Sequence, residues 1–216
     1  MFDIHTHILP CVDDGSSSLE ESIKMIEDAV NQGITDIILT PHFDVYGNKC
    51  DLKTDYQLEF NKFEDEIKKR NIPIKLYLGN EIYYTKGVYK FLKNKKIFPL
   101  GNSDKVLIEL SYENLKYHMD DIIYEFYVEG YQVVIAHVER YHYSNYKLIK
   151  KWKEKGALIQ VNASSFYGDK KIKRLVTKLL RKNLIDYVAS DVHSFRKNDI
   201  QKFVKDYKKS EYLNFN

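Results

Sequence analysis

The strongest constraint on this chain is a repeated pattern: short apolar runs that end on a histidine or a carboxylate. FDIHTH carries His5 and His7, IILTPH carries His42, VVIAHVER carries His137, and YVASDVH carries Asp191 and His193. Two further runs end on acids, Glu81 in IKLYLGNE and Glu109 in KVLIE. Runs of four to eight residues that are apolar at nearly every position read as parallel strands buried on both faces. A strand that delivers a polar side chain at its end, repeated around a ring, gathers those side chains at one rim. The pattern points to a metal-dependent hydrolase.

Strands are expected at 2–4, 35–40, 74–79, 105–110, 132–137, 157–162 and 185–190, with helices near 18–32, 54–70, 85–95, 114–129, 144–155, 170–182 and 197–208. The first helix has a capping box, Ser18-Leu-Glu-Glu21, an apolar face of Ile23, Ile26 and Val30, and Gly33 as its stop. Gly130 and Gly156 follow later helices in the same way. Strands alternating with helices predict βα units and a parallel sheet. The candidate ligands come from at least six of the seven strand ends, and only a closed barrel brings them together, at the C-terminal rim of the strands. No linker, low-complexity stretch or clear repeat divides the 216 residues, so a single domain over 1–216 is expected.

Composition narrows the function. With 44% hydrophobic residues the chain can build a sizeable core without disulfides. The 34 basic and 31 acidic residues leave a net charge of only +3, which argues against a nucleic-acid binder relying on a strong basic face. KNKK at 93–96 and KLIKKWKEK at 147–155 read as solvated helix faces. Cys11 and Cys50 make no disulfide framework, and a reducing compartment is the default. No stretch approaches the roughly 18–20 apolar residues of a membrane span. A cleaved signal peptide would remove His5, so a cytoplasmic protein is expected.

The residue types decide the chemistry. His5-x-His7 on an extended segment offers two imidazoles to one ion, because alternate strand residues point the same way. Asp191-x-His193 repeats the arrangement, and Glu81, Glu109 and His137 add single ligands. Buried glutamates at strand ends are costly unless paired or metal-bound. VDDG at 12–15 is a turn, and beside H-x-H one of Asp13 and Asp14 becomes a further ligand. Imidazole with carboxylate suits Mn, Fe or Zn. Five histidines and four carboxylates suit two or three such ions, which together lower the pKa of bound water and stabilise both oxygens of a phosphoryl displacement. Arg140, in HVERY, is either a surface arginine or a bidentate clamp for a phosphate oxygen. A thiolate phosphatase needs C-x5-R, but Ser17 and Tyr56 stand at that distance from Cys11 and Cys50. His118 and His142 are not expected to be ligands, although His142 is near enough to line the pocket. Tyr83 and Tyr84 either shape the rim or simply pack, and Asn162 ends the sixth strand in a supporting position.

DIHTHILPCVDDG (3–15), TPH (40–42), GNEIYY (79–84), LIEL (107–110), VIAHVERY (134–141), QVNASS (160–165) and ASDVH (189–193) run in order along nearly the whole chain. Together they resemble the PHP (polymerase and histidinol phosphatase) family, and within it the bacterial tyrosine-protein phosphatases of capsule and exopolysaccharide loci, the CpsB/YwqE type. The resemblance implies a distorted (β/α)7 barrel with a trinuclear metal site. It implies one metal held by His5, His7, Glu81 and Asp191, a second by Glu81 with Glu109 and His137, and a third by Asp14, His42 and His193, with Arg140 binding substrate phosphate. Many family members carry histidine where this chain has Asp14 and Glu109, and those acids favour the tyrosine-phosphatase branch.

The implied reaction is hydrolysis of phosphotyrosine by a metal-activated hydroxide with no cysteine nucleophile and no phosphoenzyme, manganese being the first choice of ion. The implied substrate is the Tyr-rich C-terminal tail of a bacterial tyrosine autokinase, and a homo-oligomer stays open. The chain departs from the pattern by ending at YLNFN without a further Asn-Pro segment, and by lacking a Pro-rich run after His193, which touches the last helix, the substrate rim and any oligomer interface. The alternatives are a PHP phosphoesterase acting on histidinol phosphate or a nucleic-acid 3′ end, and a catalytically quiet metal-binding regulatory module. The complete ligand set argues against the last.

Overall fold

A computed structural model describes residues 1–115, 117–194 and 198–215. Nine short strands, β1 (Phe2–Thr6), β2 (Asp36–Leu39), β3 (His42–Phe43), β4 (Lys75–Leu78), β5 (Glu81–Tyr83), β6 (Lys105–Glu109), β7 (Gln132–Ile135), β8 (Leu158–Asn162) and β9 (Tyr187–Ala189), pair in the orders β1-β2-β4 and β3-β5-β6-β7-β8-β9. Every pairing is parallel. Because β2 runs on into β3, and β4 into β5, these are seven strand positions. The ring closes where Asp191 N donates to His5 O (2.9 Å) and His7 N to Val192 O (3.0 Å). The expected seven-unit parallel barrel is therefore present.

The helices α1 (Leu19–Asn31), α2 (Tyr56–Lys69), α3 (Tyr89–Lys93), α4 (Met119–Tyr127), α5 (Tyr146–Glu154), α6 (Lys170–Arg181) and α7 (Ile200–Tyr207) connect the strands or, for α7, follow the last. In α1 the Ser18 hydroxyl accepts from Glu21 N at 3.2 Å, as the capping box requires. The reciprocal arm lands one residue earlier than expected, with Glu21 Oε2 taking Ser17 N at 2.7 Å. The expected helix at 85–95 shrinks to α3, since Gly87 lies in its first half with φ +80-type geometry (φ +84). The first residues of the expected helix at 197–208 include Lys197, which lies outside the described residues. Among the described residues no helix is long and apolar enough to cross a membrane.

Two interior layers follow from the strand pattern. Ile4, Ile38, Leu107, Val134, Ala136 and Ala189, one or two from most strands, pack together and plug the barrel. The outward strand residues meet the helices in a larger core anchored by Phe63, Phe126, Trp152, Phe166 and Phe203, all fully buried. Burial of aromatic side chains of this size dominates the energetics of such a layer.

Three departures from ideal strands sit next to the rim. The β1–β2 register shifts between Asp3 and Thr6, where three steps on β1 match two on β2. This bulge lets Ile4 join the plug while His5 and His7, one parity later, face the same interior. The expected strand at 35–40 appears as β2, and the ladder cannot run on through Pro41, which has no N–H to offer it. Its carbonyl instead accepts Glu81 N and Asn80 Nδ2, each at 3.1 Å. The strand expected at 74–79 likewise stops at Gly79, where an added Cβ would meet Pro99 O at 3.2 Å and Leu100 Cα at 3.3 Å. His42 and Glu81 thus open the short strands β3 and β5 instead of trailing long ones.

The loop after β1 folds back on the histidine clip: Ser16 N donates to His7 O at 3.1 Å. A Cβ on Gly15 would lie 2.1 Å from that oxygen and 2.5 Å from His7 Cβ, so only glycine fits. Gly15→Ala should therefore cost about 3 kcal/mol, the upper end for forced overpacking, and lower the melting temperature measurably in a calorimetric scan. An unchanged melt would show that the loop has no such tight approach.

Candidate metal centre

Glu81, at the start of β5, is the hub of the rim. Its Oε2 lies 3.3 Å from His5 Nε2, 3.2 Å from His7 Nε2 and 3.0 Å from His42 Nδ1, and its Oε1 lies 2.7 Å from His137 Nε2. Four imidazoles thus face one buried carboxylate, and none of the three around Oε2 meets it with hydrogen-bond geometry. Asp191 Oδ1 approaches His5 Nε2 and His7 Nε2, each at 3.6 Å. The two Nε2 atoms themselves are only 3.2 Å apart. Nitrogen lone pairs and carboxylate oxygens converging in this way need a cation among them. The donor set therefore fits divalent metal ions.

Two further groups complete the cluster. Asp14 Oδ1 lies 3.3 Å from His42 Nε2 and 3.5 Å from His193 Nε2, and His7 joins these three as a possible chelating set. Glu109, at the end of β6, lies 3.9 Å from both His42 Nδ1 and His137 Nε2. His42, Glu81 and Glu109 form the remaining set. All nine candidate ligands expected from the sequence are brought to one rim. Their grouping differs from the expected one: His42 stands between two sets, His7 reaches the set of Asp14, and Asp191 and His137 stand beside the sets rather than within them. The cause is the break at Pro41, which brings His42 level with Glu81 in the β3–β5 pairing.

The two aspartates of VDDG divide their work. Asp13 Oδ2 lies 2.7 Å from His7 Nδ1 and accepts His42 N at 3.0 Å, so it orients the outer side of the clip. Asp14 is the one that faces the cluster. Gln160 and Asn162 form a second supporting chain. Gln160 Oε1 accepts His137 N at 2.6 Å and lies 3.3 Å from His5 Nδ1. Gln160 Nε2 donates to Asn162 Oδ1, and Asn162 Nδ2 to Asp191 Oδ2 at 2.8 Å. Gln160 was not singled out by sequence reasoning, though its alternation with Asn162 on an apolar strand is a readable signal. Lys49 carried no signal at all. Its Nζ lies 3.2 Å from both Glu109 oxygens and 3.4 Å from His42 Nε2, a cation already seated between two candidate ligands.

Backbone and charge are both under tension here. His137 (φ +27°) and Asp191 (φ +50°) adopt left-handed conformations that non-glycine residues rarely take. Burial works against the ionised form of Glu81, yet His5, His42 and His137 hold it well below the usual carboxylate range. Burial and His42 disfavour protonation of His7, but Asp13 and Glu81 lift it to about 9. His42 is raised well above the ordinary value, against its own burial, by Glu81 and Asp14. The carboxylates therefore draw positive charge into the rim.

Arg140 sits in a 3₁₀ turn, Val138–Arg140, directly after His137. Its Nη1 donates to Asp191 Oδ2 at 2.8 Å, and its guanidinium lies 5.1 Å from the centre of the Tyr112 ring. The neighbouring Glu139 is buried, and its Oε1 ties the turn to β8 by accepting Asn162 N (2.9 Å) and Ser165 Oγ (2.6 Å). With about 30% of its side chain exposed, Arg140 opens to solvent at the edge of the cluster. His142 is exposed beside Glu113, and His118 caps α4 through its backbone alone, so both stay outside. Tyr84 is buried with its hydroxyl on Glu125, which makes it a packing residue.

The family model for capsular polysaccharide synthesis, CpsB/CapC, matches residues 1–210. CapC of Staphylococcus aureus is 38% identical over 200 residues, covering 90% of this chain and 77% of its own length. The tyrosine-protein phosphatase YwqE of Bacillus subtilis (strain 168) is 35% identical over 202 residues, covering 91% and 78%. A crystal structure from the work on B. subtilis YwqE and Streptococcus pneumoniae CpsB, described as unique metal-dependent tyrosine phosphatases, superposes with a TM-score of 0.87 at 31% identity, covering 99% of this chain and 88% of that one. Histidinol phosphate phosphatase of Lactococcus lactis superposes with a TM-score of 0.58 at 14% identity over 99% of this chain and 93% of its own, a likeness of fold alone. With the matched segment running from the first strand past α7, this chain belongs to the CpsB/CapC family.

Proposed function

We propose that this protein is a metal-dependent protein-tyrosine phosphatase of capsule or exopolysaccharide synthesis, acting on the phosphorylated C-terminal tail of a tyrosine autokinase. The observation that carries this reading is the Glu81 hub, a buried carboxylate faced by four imidazoles beside a partly exposed arginine. His5, His7, Glu81 and Asp191 would hold one metal; Glu81, Glu109 and His137, with His42 adjoining, a second; Asp14, His42 and His193 a third. Two or three divalent ions are proposed, manganese first, with iron or zinc also suited to nitrogen and oxygen donors. Bound there, such ions would supply a water of lowered pKa and neutralise charge on the phosphoryl group.

The chain's own residues do the rest. Arg140 presents a planar fork to the rim and can take two phosphate oxygens at once. Its anchor on Asp191 and the Glu139 clamp keep that fork aimed at the cluster. A cavity of about 340 Å³ opens over His42 and Glu109, walled by Tyr46, Tyr83 and Tyr112. Aromatic walls suit an aryl ring better than the imidazole-propyl chain of histidinol phosphate or a nucleotide backbone, and they support phosphotyrosine as the substrate. Cys11 and Cys50 are both free thiols, which agrees with a reducing, cytoplasmic setting. Neither has an arginine at the position a thiolate phosphatase needs.

Chelated protein reloaded with Mn, Fe or Zn should hydrolyse a phosphotyrosine peptide faster than histidinol phosphate or a 3′-phosphorylated DNA end. A preference for either of the other substrates, in every metal, would overturn the assignment. Stripping metal should also lower the melting temperature, by the linkage that binding to the folded state alone imposes. Glu81→Ala should cost about a hundredfold or more in kcat/KM, because it faces every candidate set but one, while His142→Ala should stay within about twofold. Equal, modest losses in the two variants would sink the hub. Arg140→Ala should reduce turnover about a hundredfold with bound metal unchanged by elemental analysis. Loss of metal together with activity would make Arg140 a structural residue.

A further inference from the structure

Away from the rim, charge of one sign is most concentrated on α6. The segment KKIKRLVTKLLR and the following Lys182 hold seven basic residues and no acid. The chain's net charge is only +3, so the remainder of the molecule is net negative. All seven basic side chains are exposed, and among the described residues none of them forms an ion pair. Lys178 lies over the Tyr146 ring at 4.2 Å, and the N-cap Asp169 feels the charge of Lys171. The other basic helices behave differently. On α5 and at its end, Lys150 pairs with Glu154, Lys153 with Asp186 and Lys155 with Asp120. On α3, Lys93 pairs with Glu129. Among the described residues three of the five lysines at 147–155 and one of the three at 93–96 are thus paired, whereas none of the seven basic residues of α6 and its end is.

The position of α6 links this face to the metal centre. The helix follows β8 through the 3₁₀ turn Ala163–Phe166, whose Ser165 bonds Glu139, the neighbour of Arg140. It also packs on the turn Val138–Arg140 itself. From Lys170 the stripe runs through Lys173, Arg174, Lys178, Arg181 and Lys182 at helical spacing along one side, lining a surface cavity of about 610 Å³. Twelve residues of helix extend about 18 Å, a span that about five or six residues of extended peptide would cover.

We propose that the basic face of α6 docks the acidic, multiply phosphorylated stretch flanking the phosphotyrosine that enters the metal centre. This rests on the tyrosine-phosphatase reading above. Each phosphotyrosine carries a charge of about −1.5 to −2 at neutral pH, so a tail with several of them complements the stripe. A lipid surface is the less fitting partner. A basic helix lying on a membrane inserts an apolar face, and that of α6 is already spent in the core on Val176, Leu179 and Leu180. Electrostatic docking of this kind speeds encounter and discriminates partners, and it weakens with salt.

The test compares the full chain with a Lys173→Gln/Arg174→Gln/Arg181→Gln variant, which keeps helix propensity and removes charge. Two peptides share one phosphotyrosine: the first has neutral flanks, the second carries two more phosphotyrosines and acidic residues. Wild type should have a lower KM for the second, and the variant should raise that KM about tenfold, with kcat and the neutral peptide unaffected. Equal KM values for both peptides in wild type, or equal losses on both in the variant, would overturn the proposal. Fluorescence anisotropy of the labelled second peptide at low salt gives a readout that needs no turnover. Binding to wild type and not to the variant, with neither peptide hydrolysed, supports the docking face and refutes the phosphatase reading. No binding to wild type refutes docking. Sedimentation with phosphatidylglycerol vesicles that depends on the same three residues, without peptide binding, reassigns the face to lipid.

Discussion

The rest of this molecule is arranged around the contact between the Glu81 carboxylate and four imidazoles. A buried carboxylate is costly unless it is met by positive charge or directed donors. Here His5, His7, His42 and His137 come to within 3.3 Å of one or other of its oxygens, and each arrives from a different part of the ring, apart from the His5–His7 clip. That is possible only if the sheet closes, because β1 and β7 would lie far apart in an open sheet of this order. Ring closure and cluster are joined directly: the two hydrogen bonds that bring the segment after β9 to β1 run through the backbone of His5, His7 and Asp191. The groups that hold the barrel shut are the groups that shape the site.

The irregular backbone of the protein concentrates at the same rim. The bulge in β1 turns both members of the histidine clip inward, Pro41 breaks a strand so that His42 starts a new one, and His137 and Asp191 take left-handed φ values. Each departure costs stability by itself, and such costs persist where the surroundings over-determine the geometry. Gln160, Asn162, Asp13 and Glu139 supply that determination by tying candidate ligands and turns to neighbouring strands. The plug of Ile4, Ile38, Leu107 and Val134 beneath them keeps the floor rigid.

Charge is organised on a larger scale as well. The interior of the rim is dominated by carboxylates that attract cations, its edge presents Arg140, and the adjoining α6 extends positive charge down the outside of the barrel. A cluster of donors that fits metal ions and a basic surface are thereby adjacent without neutralising each other. Lys49, seated on Glu109, shows the same preference of the interior for positive charge.

Much of this was legible in the sequence. Buried parallel strands are apolar on both faces, so a histidine or acid at their ends stands out, and eight of the nine candidate ligands could be picked in that way, while Asp14 and the role of Arg140 came from the family resemblance. The seven βα units followed from the alternation of period, and the first helix from its Ser18 cap and Gly33 stop. What the tertiary structure alone decided was who stands next to whom. His42 adjoins both Glu81 and Asp14 because β3 pairs with β5 after the break at Pro41, a register that no local pattern encodes. Asp13 and Asp14 are adjacent and chemically identical, and only the fold of the loop against His7 assigns one to support and the other to the cluster. Lys49 comes from a loop whose composition is that of any turn, and α6 looks in sequence like the basic α5 until ion pairs are seen on Lys150, Lys153 and Lys155 and, among the described residues, on none of the basic residues of α6. Local propensity and periodicity reside in the chain itself, whereas pairing, register and the partnering of charges arise between segments far apart in sequence, and only the closed barrel brings those together.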